Sequence, residues 1–432
     1  MKKARLFFFL LTLMLSFCTG KFAFAGAFSM GQLQAVSSDG SLDVVRNPSI
    51  MTAQRETNSI GFILLSTPYY LRRYSYDSYL NTWINDARVH DTKYITGSVY
   101  LSYCRKVGKG AIGIAVDTDN PYQGLYAEYE RSVAGVMTGS IYYELVRGDF
   151  MKVSPRFVFS FGSVVAGNHS IGVQIAAGYT RKKDDYGFIS STNSAFLAKN
   201  HASMRMEGVS AELVVGYSYR DPDSQIGLMI RSGRFSWQKT RIYYTMADFS
   251  ATLFFAGSVS EPFAMQYDRG LSMTAGGYRR LGSYIAVALE GEYEIPVSYG
   301  VKELRCDEFT GFFGITNNLA VNKKGRYIIR GGIEVLPSGP VTIALGGSVS
   351  TTRERRSSNR FKEHVNIDRY GGSFGLDFRF TPSILITMGS QLGYTHERKR
   401  IAASYDYINS RSLDGLARYV NIDTFIIASF GF

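Results

Sequence analysis

From Ser170 to Tyr179 the chain alternates, with Ile171, Val173, Ile175, Ala177 and Tyr179 on one side and Ser170, Gly172, Gln174, Ala176 and Gly178 on the other. A period of two assigns each set to one face of an extended strand, one apolar and one small or polar. Arg369 to Phe380 repeats the rhythm, setting Tyr370, Phe374, Leu376, Phe378 and Phe380 against Gly371, Ser373, Gly375, Asp377 and Arg379. Ile384 to Tyr394 follows after a Thr-Pro-Ser turn. Val209 to Tyr219, Leu271 to Arg279, Ser283 to Tyr293 and Val341 to Val349 read the same way. Each is about 9 to 11 residues long, the length a tilted strand needs to cross a bilayer. Glu290, Glu292 and Glu294 share a face opposite Leu289 and Tyr293. A water-soluble sandwich would bury the apolar face and wet the acidic one; a barrel in lipid turns the apolar face outward and the acids into a polar lumen.

Backbone amides in lipid have no water to satisfy them, so a membrane sheet must close on itself. Short turns at Arg220 to Ser224, Leu336 to Gly339 and Phe380 to Ser383 alternate with longer polar stretches near residues 67–93, 182–204, 352–368 and 397–419. These stretches read as the long extracellular loops of an outer-membrane barrel, opposite short periplasmic turns. The fold expected is therefore all-β, a transmembrane antiparallel β-barrel of about 14 strands with 16 held open, even numbers being the rule. Turn parity traced back from Phe432 fails near residues 296–340, where one strand is missed or miscounted.

The ends of the chain carry different patterns. Lys2, Lys3 and Arg5 precede an apolar run from Leu6 to Phe17, and Ala23-Phe24-Ala25 is a small-x-small cleavage signature, so residues 1–25 read as a secretory signal peptide. A lipoprotein box at Leu15 to Cys18 is the weaker reading, because Phe17 stands where a small residue is usual. Past the signal no apolar run approaches the roughly 18 residues of a helical span. Residues 26–58 show neither sustained alternation nor a long amphipathic period, and residues 59–432, from a first strand at Ser59 to Leu65, form the barrel wall. The chain ends with Val420, Ile422, Thr424, Ile426, Ala428, Phe430 and Phe432 on one face and Asn421, Asp423, Ser429 and Gly431 on the other. The terminal aromatics Phe430 and Phe432 resemble the signal read by the barrel-assembly machinery.

Composition supports strands: 44 Gly, 30 Tyr and 29 Phe against 10 Pro and 3 Cys, with 45% hydrophobic residues dispersed along the chain. The glycines fall at strand and turn positions, and none forms a phosphate loop between a strand and a helix. The formal charge is +12, about +8 without the four cations of the signal, concentrated at Arg181 to Lys183, Arg353 to Arg356, Arg360, Lys362 and Arg398 to Arg400. Nothing interleaves these with stacking aromatics on one surface, so a nucleic-acid partner is not expected. Solvated segments near outer-membrane lipid and lipopolysaccharide phosphates, or at the pore mouth, fit better. The five His, at 90, 169, 201, 364 and 396, show no orientation beside a nucleophile and no metal spacing, so neither catalysis nor a metal or cofactor is expected. Cys104 and Cys306 remain in the mature chain, and spacing leaves pairing open. Inward-facing Arg156, Glu212, Glu290, Glu292, Asp377, Arg379 and Asp423 would line a conduit or form ion pairs that stiffen a packed lumen; both readings stand.

Gly26 to Met30 and Ser37 to Ser49 resemble the mature start of the FadL family, transporters of long-chain fatty acids and aromatic hydrocarbons. Asn47-Pro48-Ser49 stands where that family carries Asn-Pro-Ala, with Ser49 in place of Ala and Arg46 in place of the usual aromatic. Pro48 fixes its own φ and pushes Asn47 out of the helical region, while the Asn amide can bond the local backbone, which suits a turn. The resemblance implies a 14-stranded barrel, an N-terminal plug over residues 26–58, and passive uptake of hydrophobic molecules with release sideways through the wall. The alternatives are a structural or surface-interaction barrel whose polar loops bind partners, and a general porin with an open polar lumen.

Overall fold

The computed structural model describes Met30, residues 33–36 and 40–53, and residues 58–431 apart from several segments between strands; the signal region and Phe432 lie outside the described residues. The wall is a closed antiparallel barrel of 14 strands. β1 runs as Asn58–Thr67 and Tyr69–Asp77, β2 as Tyr94–Val107, and β3 as Gly110–Thr118 and Tyr126–Met137. Next come β4 (Ser140–Val153 and Pro155–Ala166), β5 (His169–Thr192), β6 (Ala195–Arg220) and β7 (Ser224–Arg231 and Arg234–Asp248). β8 has three pieces, Phe254–Ser260, Ala264–Arg269 and Ser272–Leu281. β9 (Ile285–Glu294 and Val297–Cys306), β10 (Phe313–Lys323 and Arg326–Val335) and β11 (Val341–Ser357) lead to β12 (Phe361–Thr381), β13 (Ile384–Tyr405) and β14 (Asn409–Gly431). β14 closes on β1, with Ile60 opposite Phe430 and Ser66 opposite Thr424, so every wall strand has two neighbours. Closure leaves no open sheet edge with unmet amides.

The lost parity near residues 296–340 has a simple cause. Val297–Cys306 continues β9 past a break at Ile295-Pro296, and Phe313–Lys323 returns as the upper part of β10, so four short runs make two crossings. Proline lacks the amide that the ladder requires, which is why the sequence pattern stops there and resumes.

Outward faces are apolar as alternation requires: Leu289 is 65% exposed and Tyr370 51%, while Glu290 on the opposite face of β9 is 1% exposed. Tyr179, Trp237, Tyr327, Tyr370 and Tyr394 mark one outward level, with Tyr293 packed on Tyr327 and Tyr370 stacked on Tyr394. Tyr284, Phe380 and Phe430 mark the other, beside the tight turns. Nine or ten residues separate the levels on β9 and β12. At about 3.4 Å per residue and roughly 40° of tilt that spans about 25 Å, the height of an apolar band in lipid.

One sequence expectation is corrected here. The polar stretches 182–204, 352–368 and 397–419 are not long loops: they are mostly paired strand, with β5 and β6 paired from Tyr219–His169 out to Ala195–Thr192, past one register shift between Phe196 and Ala198, and β13 and β14 out to Tyr405–Asn409. The polar character that marked them as loops reflects strands that run on beyond the outward apolar band, where the outward face turns polar. Of the stretch 67–93, Tyr69–Asp77 is likewise strand and Thr82–Ile84 pairs beside it.

The tight-turn rim follows local chemistry. Gly108 and Gly167 hold positive φ, 58° and 51°, in two-residue links, a left-handed conformation that glycine adopts without strain. At Asp221-Pro222-Asp223 the Asp221 carboxylate accepts from the Ser224 hydroxyl and amide, both at 2.6 Å, and from the Asp223 amide at 3.0 Å. The Ser224 hydroxyl and then the Asp223 amide hold that carboxyl below its ordinary range. The link at residues 336–339 is outside the described residues.

Candidate functional site

The described part of the N-terminal segment lies inside the barrel. Two 3-10 turns, Gly40–Val45 and Pro48–Ala53, are joined through Arg46 and Asn47, and Met30, Leu33, Val36, Val44, Ile50 and Met51 are all buried. Each such side chain contributes about 1.5–3 kcal/mol relative to exposure in water. They pack in two clusters: Val44 and Met51 meet Tyr100, Cys104, Ala111, Ala115, Val158, Ala176, Phe425 and Ile427, while Met30, Leu33 and Val36 meet Tyr278, Ala286, Ala288 and Ala344. Phe425 and Ile427 stand on the face of β14 expected to be polar; their apolar character matches the segment packed on them. Cys104 is a buried thiol near the 108–109 link, whereas Cys306 ends its strand at the opposite rim, so the two do not pair.

Glycines on the inner wall make the space. A Cβ at Gly172 would meet the Pro48 carbonyl carbon and the Ser49 nitrogen at 2.5 Å, and one at Gly332 would meet Met30 Cβ at 2.5 Å. Gly113, Gly162, Gly216 and Gly227 sit as tightly beneath Val44, Pro48, Asn47 and Ala35. Gly162, Gly172 and Gly216 are direct register neighbours across β4, β5 and β6, so the flat patch is continuous. The glycine count was plain in the sequence, but this seat was missed; glycine recurring at inward parity within strands was its available signal.

Asn47 is the hub. Its side-chain amide donates to the carbonyls of Ala35 (3.1 Å), Tyr217 (3.3 Å) and Leu228 (3.4 Å), the last two opposite each other on β6 and β7. Its Oδ1 accepts from the Ser49 amide at 3.2 Å and the Ser49 hydroxyl at 2.7 Å, closing an Asx-type turn over Pro48. The Ser49 hydroxyl thus has a partner that alanine would lack. Ser160 Oγ donates to the Val44 carbonyl at 2.6 Å, and Thr52 Oγ1 bonds Ser170 Oγ at 2.9 Å.

Charged residues complete the interior. Glu290 Oε2 accepts from the amides of Gln34 (2.8 Å) and Ala35 (2.6 Å), while Oε1 takes Arg330 at 2.8 Å; the same guanidinium reaches Glu292 at 2.7 Å. Across the lumen Arg156 holds Asp117 through two bonds, 2.9 and 2.6 Å, and Glu212 at 3.0 Å. Arg231 and Arg234 approach Glu212 at 3.3 and 3.5 Å. Arg156, Glu212, Glu290 and Glu292 are thus brought into two ion-pair groups; Asp117, Arg231, Arg234 and Arg330 were not singled out, because cross-strand neighbours are invisible before register is known. Asp377 is buried on β12 and Arg379 half-buried near the tight-turn rim, apart from both groups. Asp423 lies opposite Gln391, its side chain outside the described residues. Phe430 faces outward at the closure with β1.

No family model matches the sequence, and it matches no curated protein. Solved structures do match in shape. A Pseudomonas aeruginosa FadL homologue aligns at TM-score 0.63 and 10% identity, covering 96% of this chain and 99% of its own. The Pseudomonas putida toluene transporter TodX aligns at 0.57 and 12%, over 95% and 99%. The monoaromatic hydrocarbon channel CymD aligns at 0.55 and 12%, over 94% and 96%. At such identities the likeness speaks to fold, and it runs nearly end to end on both sides: the chain has the 14-stranded barrel fold of the FadL-type channels.

Proposed function

We propose that the protein is a bacterial outer-membrane channel for passive uptake of small hydrophobic solutes, such as long-chain fatty acids or aromatic hydrocarbons. Residues 26–58 act as its plug and Asn47-Pro48-Ser49 as the plug turn. The observation that carries this reading is the segment seated on wall glycines and held by Asn47 and Glu290. An open porin has no use for such a seat. The outward apolar band between two aromatic levels supports the location, and the fold shared with channels named for toluene and monoaromatic hydrocarbons supports the solute class. The protein does no chemistry on its cargo in this reading. Export by a cleaved signal and insertion by the barrel-assembly machinery through Phe430 and Phe432 belong to the same proposal.

The loop-binding alternative loses its main support, because the polar stretches offered as binding loops are largely paired strand. Uptake of labelled oleate and of toluene by liposomes carrying refolded protein tests the channel, comparing wild type with Asn47→Ala and a deletion of residues 26–58. Protein-dependent uptake that changes with the plug variants is expected. A correctly refolded barrel that moves neither solute faster than empty liposomes ends the proposal.

A further inference from the structure

Above the outer aromatic level, the outward face of β11 to β14 carries an arginine patch that the channel reading does not use. Four strands align there without a register shift: Val349, Tyr370, Tyr394 and Val420 form one lateral row at the girdle. The next outward row is Thr351, Asp368, His396 and Arg418; then Arg353, Asn366, Arg398 and Leu416; then Arg355, His364, Arg400 and Asp414. Because the period is two, all these positions share the face of the lipid-exposed girdle residues. Inward neighbours Ser350, Glu363 and Val365 are buried, which fixes the parity independently. Arg355, Arg398, Arg400 and Arg418 are exposed, and Arg353 bonds Asp368 across the strands at 2.7 Å.

Height selects the partner. Arg418 stands two residues beyond the girdle row, Arg353 and Arg398 four, and Arg355 and Arg400 six. With the strand rise and tilt used above these are roughly 5, 10 and 15 Å above the ring level, the depth of a lipid headgroup and the sugars beyond it. Directly below on the same strands, Leu345, Phe374, Met388, Leu392, Ile422 and Ile426 offer an apolar wall for acyl chains. Arginine binds phosphate through paired N–H donors and keeps its charge at every physiological pH. We propose that this face is a binding surface for a phosphorylated glycolipid of the outer leaflet, its phosphates on Arg353, Arg355, Arg398, Arg400 and Arg418 and its chains along the strands beneath.

This rests on the outer-membrane placement and not on any transported solute. The test uses full-length refolded protein in neutral detergent, titrated with bis-phosphorylated lipid A, with the dephosphorylated lipid, and with inorganic phosphate, and read by native mass spectrometry. Wild type should retain lipid A at least tenfold better than its dephosphorylated form. The triple variant Arg353→Gln/Arg398→Gln/Arg400→Gln should lose that preference, and Arg398→Lys/Arg400→Lys should keep part of it. Heat-modifiable gel migration confirms that each barrel is folded; where the triple variant does not fold, the wild-type comparison alone decides. Equal retention of both lipids, or of lipid A by wild type and the folded triple variant, overturns the proposal. So does displacement of lipid A by millimolar inorganic phosphate, which would mark a free-anion site. Solute uptake by the same preparation reports separately on the channel, so the two failures are distinguishable.

Discussion

Asn47 shows how much one side chain can organise. Its amide and carbonyl together tie two parts of the N-terminal segment to two wall strands. In Asn47→Ala the wall carbonyls keep their ladder partners, but the segment loses its anchor and the Ser49 cap, a loss of about 1–3 kcal/mol. Amide exchange in residues 40–53 should then accelerate roughly tenfold while the exchange of β5 and β6 stays unchanged; equal protection in both proteins would deny Asn47 this role. Gly172→Leu attacks the same contact from the wall, since its side chain would occupy the position of the Pro48 and Ser49 backbone. Expelling the segment forfeits several buried side chains, so the variant is expected to migrate as a folded barrel yet expose the N-terminal segment to added protease. The Asn-Pro-Ser element was legible in the sequence as a turn; its wall partners, about 170 and 180 residues away, were not.

Elements repeat one rule in two solvents. Between the aromatic levels a strand turns its apolar face outward, and Leu289, five residues beyond Tyr284 and four short of Tyr293, stands near the middle of that band. Leu289→Arg should therefore destabilise the folded barrel by about 2–4 kcal/mol in urea titrations in phospholipid vesicles, against 0–1 for the same change near the interface. An effect no larger than the interfacial one would move the membrane away from this level. Outside the band the same strands run on with polar residues on both faces, and period-two patterning loses its contrast. That loss is why Arg353 to Arg356 and Arg398 to Arg400 read as loops. Trypsin on intact cells separates the descriptions: ladder-paired arginines are held away from the extended conformation a protease binds, so these sites should resist cleavage under conditions that cut an unpaired loop within minutes. Rapid cutting at Arg398 to Arg400 would restore the loop reading.

At the scale of the whole molecule, closure and the filled interior depend on each other. The wall provides an inner surface with glycines where the backbone of the segment lies and charges where its amides point, and the segment packs against that surface. Glu290 belongs to both parts, taking Arg330 from the wall and two amides from the segment; a buried pair of this kind is costly to break from one side, by about 3–5 kcal/mol. The sequence by itself determined the fold class and the alternating faces of the strands, because period and span length are local properties. The number of 14 strands was also legible, with 16 left open because at Pro296 a local break cannot be told from the end of a crossing. Only the tertiary structure decided which glycines seat the segment, that Phe425 and Ile427 face inward to meet Val44 and Met51, and which arginine answers each carboxylate. Those pairings depend on the register between strands far apart in the chain, and register follows from closing the barrel, a constraint that no single stretch of sequence carries.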